Sequence, residues 1–242
     1  MQAEAQAGKA ITGGTYSGPT ASGAYPRALP DNSVFEYYLE RGTPISASAM
    51  WAAGWKIDRA LLSPASNPFG GATNPEGIYI IDCQGNRITI SRCRIVGTLV
   101  LLHPGSGSRI EHSVHIAPAV AHYPSLMVRG DITFKLSDAN LRESDFHINL
   151  NPLGSPYPYP AGDSDADTND TYPNRIMGLV YVSGNLKNES PISVDRLIVG
   201  GTLHSDNTLL FNTGFDPGEA IPPGFEHIEM RPVSGTWRQV VE

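Results

Sequence analysis

Long apolar runs are missing from this sequence, and so is any concentration of basic charge. No stretch approaches 18 apolar residues, so nothing in it spans a bilayer as a helix. Charged residues make up only 17% of the chain and the net charge is −7. The nearest approach to a basic cluster, Arg87, Arg92 and Arg94, alternates with apolar residues. A nucleic-acid surface needs gathered Lys and Arg to meet phosphates, so this balance argues against nucleic acid as a partner.

Cysteine is nearly absent too. Cys83 and Cys93 stand ten apart, with no CxxC pair and no zinc-ribbon spacing. Two readings stay open for them: a disulfide across a tight turn in an oxidising compartment, or two buried thiols packed as small hydrophobes. There is no G-x-S-x-G, no Cys–His pairing with local support and no glycine-rich loop leading from strand into helix. Neither nucleophilic catalysis nor a nucleotide-phosphate site is therefore indicated.

What the chain has in excess is turn formers: 25 Gly and 20 Pro in 242 residues, a mix that suits short strands and many corners. Residues 1–30 are Gly, Ser, Pro and Ala rich and read as flexible linker, or as the boundary left by a removed membrane segment. "NSVFEYYLERG" reads as a helix. Ser33 and Glu36 form a capping box, Gly42 takes the left-handed closing position, and Val34, Phe35, Tyr38 and Leu39 make one apolar face. "SASAMWAAGWKI" adds a turn or two of helix, with Trp51 and Trp55 as core anchors.

Beyond Gly77 the period is two. In "SLMVRGDITFKL", Leu126, Val128, Ile132, Phe134 and Leu136 point one way, while Met127, Arg129, Asp131, Thr133 and Lys135 point the other. "IMGLVYVSGNLK" repeats this, and "CRIVGTLVLL" and "DRLIVGGTLHS" echo it. Gly97, Gly130, Gly184 and Gly201 each precede a small polar residue and then Ile or Leu, at spacings of 33, 54 and 17 residues. Those spacings are close to two, three and one turns of a coil of about 17 residues, with glycine at each corner. The predicted fold is all-β, a right-handed parallel β-helix, with a β-sandwich as the second reading. Open solenoid ends need covers. Residues 31–62 are expected to form a helical N-terminal cap and 63–242 the β-helix domain. Within it, 151–175 is a Pro-rich acidic side loop and 212–242 a C-terminal cap using Phe215, Phe225 and Trp237.

"GIYIIDCQGNRITISRCRIVGTLVLL", "YPSLMVRGDITF", "GLVYVSGNL", "LIVGGTL" and the closing "IPPGF" together resemble the β-helical domain of bacterial type IV pilus assembly PilX-like proteins and related secreted proteins. The resemblance runs from Ser63 to Trp237 and rests on the texture of the repeats, a rhythm shared by other right-handed β-helices, bactofilin-type polymers among them. It implies a non-enzymatic, cell-envelope or secreted protein associated with pilus or pseudopilus machinery. This sequence departs from the pilin-like pattern in lacking an apolar N-terminal helix.

The acidic run "DSDADTND" is the one candidate metal site. Asp163, Asp165 and Asp167 alternate, followed by Asn169 and Asp170, and oxygen ligands at every second position are how a loop wraps Ca²⁺. The EF-hand pattern fails at Thr168 and Asn174, so any affinity is expected in the weak range of about 0.1–1 mM. A solvated acidic loop is the other reading. His112, His115 and His122 would suit zinc only on a helix, which Pro118 and the β-branched residues oppose. The expected function is a structural or surface-interaction module outside the cytoplasm, binding protein or glycan at the cell surface or itself. The alternative is a polysaccharide-active hydrolase or lyase, for which Arg129, Asp131 and Lys135 are the outward charges at hand, and Tyr181 and His204 the outward rings.

Overall fold

The computed structural model describes residues 5–7, 20–22, 30, 33–155, 164–211 and 221–225. Two short strands, β1 (Ala5–Ala7) and β2 (Thr20–Ser22), pair in parallel. Helix α1 (Val34–Arg41), β3 (Thr43–Pro44), helix α2 (Ala47–Ala52), β4 (Lys56–Asp58) and β5 (Leu61–Leu62) follow. Then come β6 (Ile78–Asp82), β7 (Thr89–Val96), β8 (Thr98–Leu102), β9 (Arg109–Ala117), β10 (Pro124–Arg129) and β11 (Ile132–Leu136). An excursion over 137–174 holds β12 (Leu141–Arg142), a 3-10 turn and the antiparallel partner of β12, β13 (Thr171–Tyr172). The chain continues through β14 (Arg175–Val182), β15 (Leu186–Asn188), β16 (Ile192–Val199), β17 (Leu203–Ser205) and β18 (Leu209–Phe211).

Fourteen of these strands share one sheet, and its pairings are parallel. The registers sort into three ladders. In ladder A, Tyr79 pairs Leu99, Leu126, Val180 and Leu197 in turn. In ladder B the column is Ile57, Ile90, Ile110, Phe134, Asn188 and Ser205. In ladder C it is Leu62, Ile95, Ile116, Ile176, Val194 and Phe211. From β6 onward the chain visits A, B and C in that order. Strands β7 and β9 bend from B into C at Arg92 and His112, and the earlier corner is at Arg59; all three have positive φ, +46°, +62° and +51°.

The inward columns form one continuous core containing Ile90, Ile110, Phe134, Leu126, Val128, Ile176 and Val180. Each such side chain contributes about 1.5–3 kcal/mol on burial. Toward the last rungs ladder B turns polar inside, Phe134 giving way to Asn188 and Ser205.

Ladder A is covered on its outer face as well. There α1 packs Val34, Phe35 and Tyr38 on Ile78, Ile80, Val100, Met127 and Tyr181. Two-sided burial explains the unbroken apolar runs "IYII" and "LVLL". It also moves two expected outward residues: Met127 and Tyr181 lie under the helix, and the Tyr181 hydroxyl donates to the Pro30 carbonyl at 2.9 Å. Thus α1 lies on the flank, while the interior near the first rungs is closed by α2, through Met50 with Ile45 and Trp55. Trp51 is 73% exposed and is no core anchor. Phe225 sits against Tyr181 on the same flank, with ring centroids 5.4 Å apart, rather than over the last rung. Phe215 and Trp237 lie outside the described residues.

The capping box does not form. Ser33 is itself helical (φ −65°, ψ −23°), with no side-chain cap, and its carbonyl takes the Glu36 N–H. Gly42 is extended, not left-handed; it is needed for room, since a Cβ there would meet Ile80 Cδ1 at 2.5 Å.

The glycine spacings resolve differently from the simple multiples. Gly184 N–H bonds the Gly130 carbonyl and Gly201 N–H bonds the Gly184 carbonyl, so these three stack at one corner, from A to B. Gly97 stands at a different corner, from C to A, above Gly77. The 33-residue interval therefore mixes two corners. The 54-residue interval is a single return to the ladder, Ile132 to Leu186, lengthened by the 137–174 excursion.

Candidate functional site

The three ladders differ in what covers them. A carries α1. On the outside of C, the column Leu61, Arg94, His115 and Arg175 lies under the excursion, whose Leu141, Leu150 and Tyr172 cluster with Leu61. Ladder B presents polar side chains: Thr89, Arg109, Thr133, Lys187 and His204 form one outward column.

These charges pair along and across the rungs. Arg109 Nε lies 2.7 Å from Glu111, Lys187 Nζ 2.6 Å from Glu189 and 3.6 Å from Asp206, Lys135 Nζ 4.0 Å from Glu189, and His204 Nε2 2.7 Å from Asp206. The hydrogen bond from Lys187 holds the Glu189 carboxyl below its usual range. Solvent screens exposed pairs like these, so they order the wall more than they stabilise it.

Beside this wall lies a groove of about 740 Å³. Its origin is the unequal length of the A-to-B corners. Residues 83–88 and 103–108 make six-residue corners, while 130–131, 183–185 and 200–202 turn in two or three. The longer 103–108 loop thus forms a side wall above a floor of tight corners. Glycine makes those corners tight: at Gly184 a Cβ would sit 2.6 Å from the Gly130 carbonyl oxygen. The next residues in each corner hold one another. Asp131 Oδ1 accepts the Asn185 N–H at 2.7 Å, and Asn185 Oδ1 accepts the Thr202 N–H at 2.9 Å.

A second polar centre is buried where the excursion meets ladder C. Glu143, wholly buried, accepts from the Leu150 N–H (2.5 Å), the Tyr172 hydroxyl (2.8 Å) and the Asp170 N–H (3.2 Å). Arg94 donates from Nη1 to the Leu150 carbonyl (2.7 Å) and to Asn151 Oδ1 (3.2 Å), and its guanidinium lies 5.0 Å from the Tyr172 ring centroid. Burial followed by the Glu143 contact pushes the Tyr172 pKa up. His115, beside them, bonds the Pro173 carbonyl through Nδ1 at 3.0 Å, and burial lowers its pKa to about 4. These bonds tie the loop to itself through Glu143 and to the sheet through Arg94, which makes this centre a clasp for the loop.

The acidic run feeds into that clasp. Asp163 lies outside the described residues. Asp165 Oδ1 accepts the Asp167 N–H and Asp167 Oδ1 accepts the Asn169 N–H, both at 2.9 Å, two successive side-chain turns. Asn169 is exposed, whereas Asp170 turns inward to Tyr172 and Asn151, each 3.2 Å from its Oδ2. Among the described residues no group of three or more His, Cys, Asp or Glu is placed to hold a metal.

Arg129, Asp131 and Lys135 do not converge. Arg129 stacks on Phe35 at 4.6 Å, Asp131 is bound to Asn185, and Lys135 faces Glu189. The His112 corner separates that exposed ring from buried His115, which removes the zinc geometry. Cys83 and Cys93 are free thiols in the core, not a disulfide. Arg94 and Glu143 were missed as a pair. The only local signal was a lone arginine within the apolar run "CRIV". Among the described residues no helix is long and apolar enough to cross a membrane. No protein-family model, curated protein or solved structure matches the chain.

Proposed function

We propose that the chain is a right-handed parallel β-helix acting as a non-enzymatic, extracytoplasmic structural or surface-interaction module. The repeated A, B, C order of strands in register supports the helix. The hand follows from the right-handedness of about 98% of parallel crossovers. The observation that carries the functional reading is the outer face of ladder B, a wall whose charged groups are paired along the rungs while ladders A and C are covered. Such a wall suits recognition of a protein or glycan at a cell surface, in the pilus-associated setting that the PilX-like resemblance implies. Of the two readings of the acidic run, a calcium site and a solvated loop, the side-chain turns made by Asp165 and Asp167 support the loop.

The test is to tag the protein at its own locus, fractionate the cells, and measure binding of the purified full chain to intact cells. Recovery in the envelope or medium with saturable cell binding supports the module. Cytoplasmic recovery with no cell binding sinks it. Release of reducing ends or unsaturated products from polysaccharides would replace it with a hydrolase or lyase.

A further inference from the structure

We infer that the groove at the A-to-B corner is a binding site for a neutral, linear polysaccharide, an assignment that rests on the surface-module reading. Its lining comes from four successive rungs, at 104–108, 130–133, 185–187 and 202–204, so the site extends along the stacking direction. Polar groups recur with the rungs, at a repeat of about 4.8 Å. A polymer with hydroxyl groups on every unit meets such a series with the same contacts again and again.

The chemistry of the lining selects that class. The hydroxyls of Ser106, Thr133 and Thr202 border the groove and have no hydrogen-bond partner among the described residues. Hydroxyls both donate and accept, which suits sugar hydroxyls of either sense. Main-chain groups of β11 and β15 are already used in the parallel ladder, so along those rungs an extended peptide finds no strand edge to join. The lining carries one carboxylate, Asp131, held by Asn185, and one ammonium, Lys187, paired with Glu189 and Asp206. That balance, in a chain of net charge −7, disfavours a polyanion.

The experiment is affinity electrophoresis of the full chain through gels holding dextran, a soluble mixed-linkage β-glucan, a galactomannan or polygalacturonate. Retardation by at least one neutral polymer is expected, and none by polygalacturonate. Ser106→Trp and Thr202→Trp fill the groove from its wall and floor and should weaken the retardation tenfold or more with unchanged melting. The triple variant S106A/T133V/T202V removes the hydroxyls without added bulk and carries the same expectation if a tryptophan variant folds poorly. No retardation by the neutral polymers, retardation unaltered in the variants, or preference for polygalacturonate overturns the site. Intact cell binding that survives these substitutions overturns the groove alone. Absence of cell binding by the unmodified chain overturns the module reading itself.

Discussion

Arg94 donates from Nη1 to the carbonyl of Leu150 at 2.7 Å, joining residues 56 positions apart in sequence. The contact fastens the long excursion to the outer face of ladder C. Arg94 is 2% exposed, so its charge is kept from water and must be answered by the loop itself. The loop answers with the Leu150 carbonyl, Asn151, the Tyr172 ring and, one contact further, the Glu143 carboxylate.

Breaking that clasp should cost more than its hydrogen bonds are worth. Arg94→Ala removes the donor to the buried Leu150 carbonyl and to Asn151 Oδ1 and is expected to lower stability by about 2–4 kcal/mol. Glu143→Gln keeps the shape but turns a donor toward one of three N–H or O–H groups, at an expected cost of about 1–3 kcal/mol. Both variants should be cut faster by protease within 137–174, before the rest of the chain is digested. Urea unfolding with limited proteolysis checks this; wild-type stability in R94A would mean that the excursion is not clasped at Arg94.

The buried imidazole of His115 ties stability to pH. Arg94, Arg175, Tyr172 and the Pro173 carbonyl surround it, and its pKa in the folded chain is about 4 against an ordinary 6.5. As pH falls from about 6.5, the unfolded chain takes up the proton first. Stability is therefore full above that value and declines until about pH 4, by about 3 kcal/mol in total. His115→Asn keeps an N–H for Pro173 and should remove that part of the slope. Urea midpoints at pH 7 and 4.5 decide it: equal losses in the two proteins would show that His115 titrates normally.

The period-two pattern located the core because burial on a strand is a local property. Leu126, Val128, Ile132, Phe134 and Leu136 all face inward as expected. What lies on the far side of a strand is not local, so Met127 and Tyr181 read as exposed although α1 covers them. Glycine spacing misled for a related reason. One insertion adds an arbitrary length to a single return, and Gly97 belongs to another corner. The clasp left almost no trace, because Arg94, Glu143 and Tyr172 meet only once the excursion has folded back.

Gly97 offers a test of the corner packing. Its φ is +155°, and a Cβ would stand 2.0 Å from the Gly77 carbonyl oxygen. Backbone cannot move aside without disturbing two rungs, so Gly97→Ala should lose about 3 kcal/mol or more. Gly54 has φ +63° with nothing near its missing Cβ, so Gly54→Ala should cost only about 1–2 kcal/mol. Thermal melts of the two variants should separate clearly. A mild effect at Gly97 would mean that the rungs are looser than this contact requires.

The thiols should be chemically silent. Burial pushes the Cys83 thiol up to about 12 and raises that of Cys93 as well, and both sit in the core. A thiol reagent at pH 8 should label neither in the native protein and both in guanidinium without reductant. Absence of label in the denatured, unreduced chain would mean a disulfide, and with it a different packing around β6 and β7.

For the acidic loop the expected outcome is set by work its carboxylates already do. Asp165 and Asp167 each hold a main-chain N–H two residues on, and Asp170 belongs to the clasp. Those bonds order the loop without a cation, and an amide oxygen accepts an N–H as a carboxylate does. Asp165→Asn and Asp167→Asn should therefore melt within about a degree of the unmodified chain, and excess EDTA and millimolar calcium should give the same curve. A rise of several degrees with calcium, abolished by the Asn variants, would instead make the run from Asp163 to Asp170 a metal site. Because that loop ends at Tyr172, calcium would then also slow proteolysis of the excursion, and the clasp and the cation would act on the same segment.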